Sequence, residues 1–180
     1  MGLKQITSSN HLWRDSSRRA PHNLYTDIEN LYQGAGTDLS HVEEKEIVLE
    51  DCPTNYGKGL EIEVIYSNSS NRVTYTYDEE KEVYLRFIND NPHLDRETEE
   101  QYRAHRVIIR KTPHQSIPGP EGLVEINLEG EGEGLLYEGG KKFHIHWEKK
   151  NDATSYYYQT GNPLETRWGN TWIQVVKSNQ

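Results

Sequence analysis

The chain has one cysteine, Cys52, among its 180 residues. An intrachain disulfide is therefore excluded, and a lone thiol fits any compartment. It has one methionine and two phenylalanines. Aliphatic residues are sparse, so the apolar area available per residue is low. No window approaches the roughly 18 consecutive apolar residues of a membrane-spanning helix. Positive charge is in deficit: 29 acidic residues face 20 basic ones, for a formal net charge of −9. A phosphate-binding face needs the opposite balance, which excludes general nucleic-acid binding. The opening Met1-Gly2-Leu3-Lys4 has no apolar run behind it and does not form a signal peptide. On the residues alone, the chain is cytoplasmic or a fragment of something longer.

Aromatic surface is present instead. Twelve tyrosines and four tryptophans can bury large areas while keeping a polar tip in water. Tyr, Trp, Val and Ile suit a pleated, half-buried surface, so the composition leans towards strands.

Residues 1–25 are polar and mildly basic, with Arg14, Arg18 and Arg19 close together. Thr26-Asp27-Ile28-Glu29 has the pattern of a capping box and opens a short helix at about 27–33. Residues 37–59 are acidic and turn-rich, a linker with a brief strand expected at Ile47–Leu49. Residues 60–180 carry the main domain. Ile62, Val64 and Tyr66 alternate with Glu61, Glu63 and Ile65; Val73, Tyr75 and Tyr77 alternate with Thr74 and Thr76; Val83, Leu85 and Phe87 alternate with Tyr84, Arg86 and Ile88. Three such runs joined by short polar turns predict an antiparallel meander. Thr98-Glu99-Glu100-Gln101 predicts a second short helix, reaching about Ala104. Val107–Ile109, Leu123–Leu128, Gly134–Glu138, Lys142–Glu148, Ser155–Gln159 and Thr171–Val176 read as further strands, with Gly139-Gly140 as a hairpin turn. The fold class is α+β with β dominant: about eight or nine mostly antiparallel strands and about two or three short helices. The expected core is Val64, Val73, Tyr75, Val83, Leu85, Val107, Ile109, Ile126, Leu128, Ile145, Trp147, Trp172 and Val175.

Several segments carry a resemblance in combination. These are Tyr75-Thr76-Tyr77-Asp78 with Tyr84-Leu85-Arg86, Pro92-His93-Leu94-Asp95 with Glu97-Thr98, Glu125–Leu128, Gly130–Gly134 and Gly169–Val176. In that order they resemble the C-terminal domain of the YerB-like family of bacterial lipoproteins. The stretch Trp13–Tyr25 is similar to the end of that family's N-terminal domain. The resemblance implies an extracytoplasmic parent protein, anchored to the membrane by lipid. It also implies a larger N-terminal domain, of which residues 1–36 are the remnant. It implies no reaction.

No motif assigns a catalytic residue, a metal ligand or a cofactor. The candidate anion site is Arg14, Asp15, Arg18, Arg19 and His22, joined by His93 and Asp95. Clustered guanidiniums hold phosphate or carboxylate by bidentate hydrogen bonds, and a His beside an Asp can move a proton. The structural alternatives are a solvated basic segment in the first case and a turn-capping role for Asp95 in the second. His144, His146 and Glu148 share one face of a strand, as three zinc ligands would, but a single flat strand does not close a site. The Glu-Gly alternation at Glu129–Gly134 suggests calcium ligands or a glycine-marked close approach. Tyr156-Tyr157-Tyr158 suggests a sugar-stacking surface, with Tyr157 or the flanking pair on one face but not all three, or an edge strand of mixed burial.

Three functions follow. The first is a non-catalytic binding or scaffold module of a cell-envelope lipoprotein, with an unidentified ligand or protein partner. The second is part of a hydrolase or transferase acting on an envelope polymer or phosphodiester, its site completed by a preceding domain. The third is a partner-binding module that uses an edge strand or an aromatic patch, for instance as a homodimer.

Overall fold

A computed structural model of the chain describes residues 12–20, 22–35, 56–66, 72–119, 122–150, 153–164 and 169–178. The expected strand at Ile47–Leu49, Cys52 and the acidic run at 43–51 lie outside them. The chain divides into two compact units, Met1–Glu46 and Ile47–Gln180.

In the first unit, strands β1 (Trp13–Arg14) and β2 (Leu24–Tyr25) pair antiparallel, and helix α1 (Ile28–Ala35) follows. Asp27 caps the helix: its carboxylate accepts the backbone N–H of Asn30 at 2.7 Å, which satisfies one of the orphan donors of the first turn.

The second unit begins with β3 (Gly57–Lys58), β4 (Glu61–Ile65), β5 (Arg72–Asp78) and β6 (Val83–Ile88). The predicted meander is there: β4, β5 and β6 pair antiparallel in sequence order. Asp78 shapes the β5–β6 turn by accepting the N–H groups of Glu80 and Lys81 at 3.1 and 3.0 Å. Two short strands, β7 (Asn91–Pro92) and β8 (Arg103–Ala104), both add to β6. The helix expected at Thr98–Ala104 does not form. Asp95 captures the N–H groups of Glu97 and Thr98 at 2.9 and 3.0 Å, and Glu99 sits at φ 57°, a left-handed conformation that a right-handed helix cannot contain. Among the described residues α1 is the one helix, against the two or three expected. No helix of the described residues is long and apolar enough to cross a membrane.

The remaining strands are β9 (Arg106–Thr112), β10 (His114–Ser116), β11 (Val124–Ile126), β12 (Gly130–Glu138), β13 (Lys141–Lys150), β14 (Ala153–Tyr158) and β15 (Thr171–Lys177). The described residues thus hold fifteen strands, several only two residues long, rather than eight or nine. β10 and β11 form a separate hairpin. The larger sheet runs β14-β13-β12-β9-β15, with β3 on β13 beyond the end of β14. The β12–β13 turn is Gly139-Gly140, at φ 55° and 69°, the pair of positive values that a tight hairpin of matching twist requires. All of these pairings are antiparallel except one: β15 lies parallel to β9.

The two sheets face each other over one core. Ile62, Val64, Val73, Tyr75 and Tyr84 from the smaller sheet meet Val107, Ile109, Tyr137 and Val176 from the larger. The larger sheet has a second apolar face, built from Ile108, Leu136, Phe143, Ile145 and Tyr158. β9 is thus buried on both sides.

Four expected core positions are displaced. Ile126 and Leu128 are 44% and 40% exposed, because the β10–β11 hairpin stands apart from the two large sheets. Leu85 is half-buried: β6 turns Tyr84 and Arg86 inward instead. In β15, Gln174 and Val176 point inward and Val175 lies on the other face. Burial still alternates over Tyr84–Arg86 and over Gln174–Val176, but the phase is set by the partner sheet.

Candidate functional site

Of the sequence-predicted residues, Arg14, Asp15, Arg18, Arg19 and His22 belong to the first unit, and His93 and Asp95 to the second. In the first unit several are occupied locally. Arg14 donates to the Asn23 side chain at 2.6 Å. Asp15 accepts the N–H of Ser17 at 2.8 Å. Arg18 bonds the Tyr25 hydroxyl and lies 5.5 Å from that ring's centroid. Arg19 and His22 are exposed. These bonds hold the β1–β2 turn closed.

In the second unit His93 and Asp95 share a turn but serve different neighbours. The Asp95 carboxylate accepts N–H groups from Glu97 and Thr98 and the Tyr102 hydroxyl at 2.8 Å. The Thr98 backbone bond, then the Tyr102 hydroxyl, then the Glu97 bond hold its pKa down at about 2. It is a turn-capping residue. His93 faces the other way. Its ring packs 4.5 Å from that of Tyr102, and its Nδ1 is bonded to Nη1 of Arg86. Burial, and then the neighbouring Arg86 charge, lower its pKa.

Arg86 is the centre of this region and was not predicted from sequence. It is only 8% exposed. Its guanidinium lies 4.5 Å from the Trp172 ring centroid, and its Nε donates to the Tyr75 hydroxyl at 3.3 Å. The Gln174 amide also donates to that hydroxyl, at 2.5 Å, and accepts from Tyr66. Desolvation pushes the Tyr75 pKa up to about 12, so it stays a neutral hydroxyl. Backbone bonds fix the frame: Arg86 N–H to Tyr102 O at 2.9 Å, and His93 N–H to Arg86 O at 3.0 Å. Tyr75, Arg86, His93 and Trp172 come from four of the segments that carry the family resemblance. The signal that could have found Arg86 was the alternation of Tyr84, Arg86 and Ile88, read in its other phase.

An open concavity lies at the opposite end of the larger sheet. β14 pairs with β13 up to Tyr158↔Ile145, and β3 resumes at Gly57↔Lys142. Phe143 and His144 fall in the gap between the two edge segments. A hollow of about 400 Å³ occupies it, lined by Tyr56, Lys142, Phe143, His144, Tyr158 and Gln159. A second hollow of about 500 Å³ adjoins it and shares His144, Tyr158 and Gln159, adding Glu133, His146 and Tyr157. Of the three proposed metal ligands on β13, His146 lies 3.8 Å from Glu131 and Glu148 pairs with Lys150 at 2.5 Å. No group of three or more His, Cys, Asp or Glu side chains among the described residues is placed to hold a metal ion. In the Glu-Gly run, Gly132 lies against the Trp147 indole and Gly134 against the Ile109 carbonyl, while Glu131 and Glu133 point out.

Comparison with known proteins places this architecture. The family described as "Protein of unknown function (DUF3048) C-terminal domain" matches residues 62–173. Over 170 residues the chain is 28% identical to YerB of Bacillus subtilis (strain 168), a protein named as a lipoprotein, covering 91% of this chain and 50% of YerB. The crystal structure of YerB from Bacillus subtilis superimposes with a TM-score of 0.68 at 28% identity, over 92% of this chain and 56% of that one. The chain spans about half the length of the relatives it matches.

Proposed function

The chain belongs to the DUF3048 family through its C-terminal domain, and from that premise we propose that it is a non-catalytic binding module of a lipid-anchored protein displayed outside the cytoplasm. The lipoprotein name of the Bacillus relative supports the location. The observation that carries the binding role is the pair of adjoining hollows around His144. Their volumes fall within the range of small-ligand sites, and a few polar groups converge among aromatic rings. Tyr56, Tyr157 and Tyr158 offer ring surface, while His144, Gln159 and Glu133 offer hydrogen-bonding edges. That combination suits a saccharide ring, with its C–H faces and hydroxyl rim. The non-catalytic reading is supported by the use of His93 and Asp95 in structural bonds.

The test is an NMR titration of the chain with N-acetylglucosamine oligomers. Saturable shifts at His144, Tyr157 and Gln159, weakened in Tyr157→Ala, are expected. Absence of any saturable shift around His144 would sink the glycan assignment.

A further inference from the structure

Arg86 presents a problem that its neighbours do not solve. A guanidinium carries five N–H donors and a full positive charge. Desolvating such an ion costs several kcal/mol, which an opposite charge normally offsets. Here every partner is neutral: the Tyr75 hydroxyl, the His93 ring nitrogen and the face of Trp172. Among the described residues no carboxylate lies within 4 Å of it, although acidic residues outnumber basic ones by 29 to 20. Other arginines of this domain do have acids near them: Arg72 pairs with Glu63 and Asp90, and Arg106 lies 3.9 Å from Glu138.

One edge of Arg86 is not sealed. Its Nε and Nη1 are bonded, and Nη2 makes no hydrogen bond among the described residues. Nη2 of Arg86 is not among the fully sealed, unbonded side-chain polar atoms of the described residues, so it keeps contact with solvent. The geometry around it is fixed in advance. Trp172 backs the guanidinium plane, Tyr102 packs on His93, and the Gln101 amide holds the Arg86 carbonyl at 2.8 Å. A planar, pre-positioned guanidinium edge with an unsatisfied donor fits an oxyanion.

We propose that the Nη2 edge of Arg86, walled by Trp172 and His93, is a receptor for a small oxyanionic group, a carboxylate or a phosphate. It lies on the β15 side of the larger sheet, away from the hollows on β13 and β14, and is independent of them. Binding would supply the charge that the protein itself withholds.

The experiment is a solution NMR titration of the 180-residue chain with sodium acetate and, separately, sodium phosphate, each against sodium chloride at matched ionic strength. Saturable movement of the Arg86 Nε–H and Trp172 Nε1–H signals is expected. Saturation by acetate alone identifies a carboxylate source, by phosphate alone a phosphate source, and by both a shared oxyanion site. In Arg86→Gln the affinity should fall about tenfold or more, the value of one lost charge-assisted hydrogen bond. If neither salt moves these signals beyond chloride, or if Arg86→Gln binds as tightly, the proposal fails. Should Arg86→Gln not fold, the wild-type titration still decides, because it reports on Arg86 directly.

Discussion

Replacing Gly132 by alanine tests the packing of the larger sheet at one atom. A Cβ built on Gly132 would lie 2.8 Å from Nε1 and 2.9 Å from Cε2 and Cζ2 of Trp147. Carbon atoms in good contact sit at about 3.5–4.0 Å, so the indole must retreat by roughly 0.6–1 Å. It has little room to do so. Trp147 is 0% exposed. Its Nε1–H donates to Lys111 O at 3.0 Å, and Arg110 lies 3.9 Å from its ring centroid. Overpacking of this kind costs about 1–3 kcal/mol. Gly132 is not among the glycines with positive φ, so alanine adds no backbone strain, and restricting the unfolded chain returns about 0.4–1 kcal/mol. The net loss should be about 1–2 kcal/mol, or a fall in Tm of roughly 4 °C per kcal/mol for a domain of this size.

The assay is urea unfolding of four proteins: wild type, Gly132→Ala, Trp147→Phe and the double variant. Phenylalanine lacks the indole atoms that the new methyl would strike. In the Trp147→Phe background, Gly132→Ala should therefore cost little or become stabilising, giving a coupling of about 1 kcal/mol or more. If Gly132→Ala is neutral in the wild type, or equally costly in both backgrounds, the glycine is not there to admit the tryptophan and the reasoning is wrong.

Three further outcomes are expected. The Asp95 carboxyl is held down at about 2 against an ordinary value of 3.8, so its contribution is complete above pH 3.8 and is lost as pH falls towards 2; Asp95→Asn should flatten acid unfolding in that window, and an unchanged acid limb would refute the turn-capping role. The folded chain resists protonating His93, whose ordinary value is 6.5; the unfolded chain takes up that proton first, so stability should decline as pH drops below 6.5. His93→Gln should shallow that slope, read from urea midpoints against pH. Gly169 sits at φ 94°, and a Cβ there would come within 2.4 Å of His105 Cγ; Gly169→Ala should destabilise by about 1–3 kcal/mol by urea unfolding, and a neutral result would exclude the strain argument.

The meander was legible because each of its first two strands buries one face, as at Ile62 and Val64 or Val73 and Tyr75. The phase of β6 was not. Val83, Leu85 and Phe87 make the more apolar set, yet the partner sheet takes Tyr84 and Arg86, whose aromatic and π-stacked surfaces pack while their polar ends bond. The parallel pairing of β15 with β9 has no local signature, since it joins Thr171–Lys177 to the distant segment Arg106–Thr112. Leu123–Leu128 does contain a strand, but Ile126 and Leu128 are exposed rather than core, because hydrophobicity alone does not say which sheet a hairpin joins. His93 and Asp95 were recognisable as a turn with chemistry in it. Arg86 and Trp172 reach His93 only through the smaller sheet and β15, and the gap over His144 exists only because β14 and β3 stop short of one another.

Two buried arginines rest on tryptophans in this domain, and the contrast between them separates a strap from a receptor. Arg110 lies over Trp147, and its Nη2 donates to Leu128 O at 2.6 Å. Its Nε is sealed without a partner. No ligand can reach that atom, so the arginine ties the loop before β12 to the sheet and the structure bears the desolvation cost. A desolvated cation–π contact returns about 2 kcal/mol, less than the several kcal/mol that burying an unpaired ion costs. Arg86 carries the same deficit over Trp172, with the difference that its unbonded Nη2 meets solvent. For Arg110 the deficit can be removed only by mutation. Methionine, which keeps the length without the charge, should leave stability nearly unchanged there. For Arg86 the deficit can be removed by an anion, so the same substitution should spare the fold and abolish oxyanion binding.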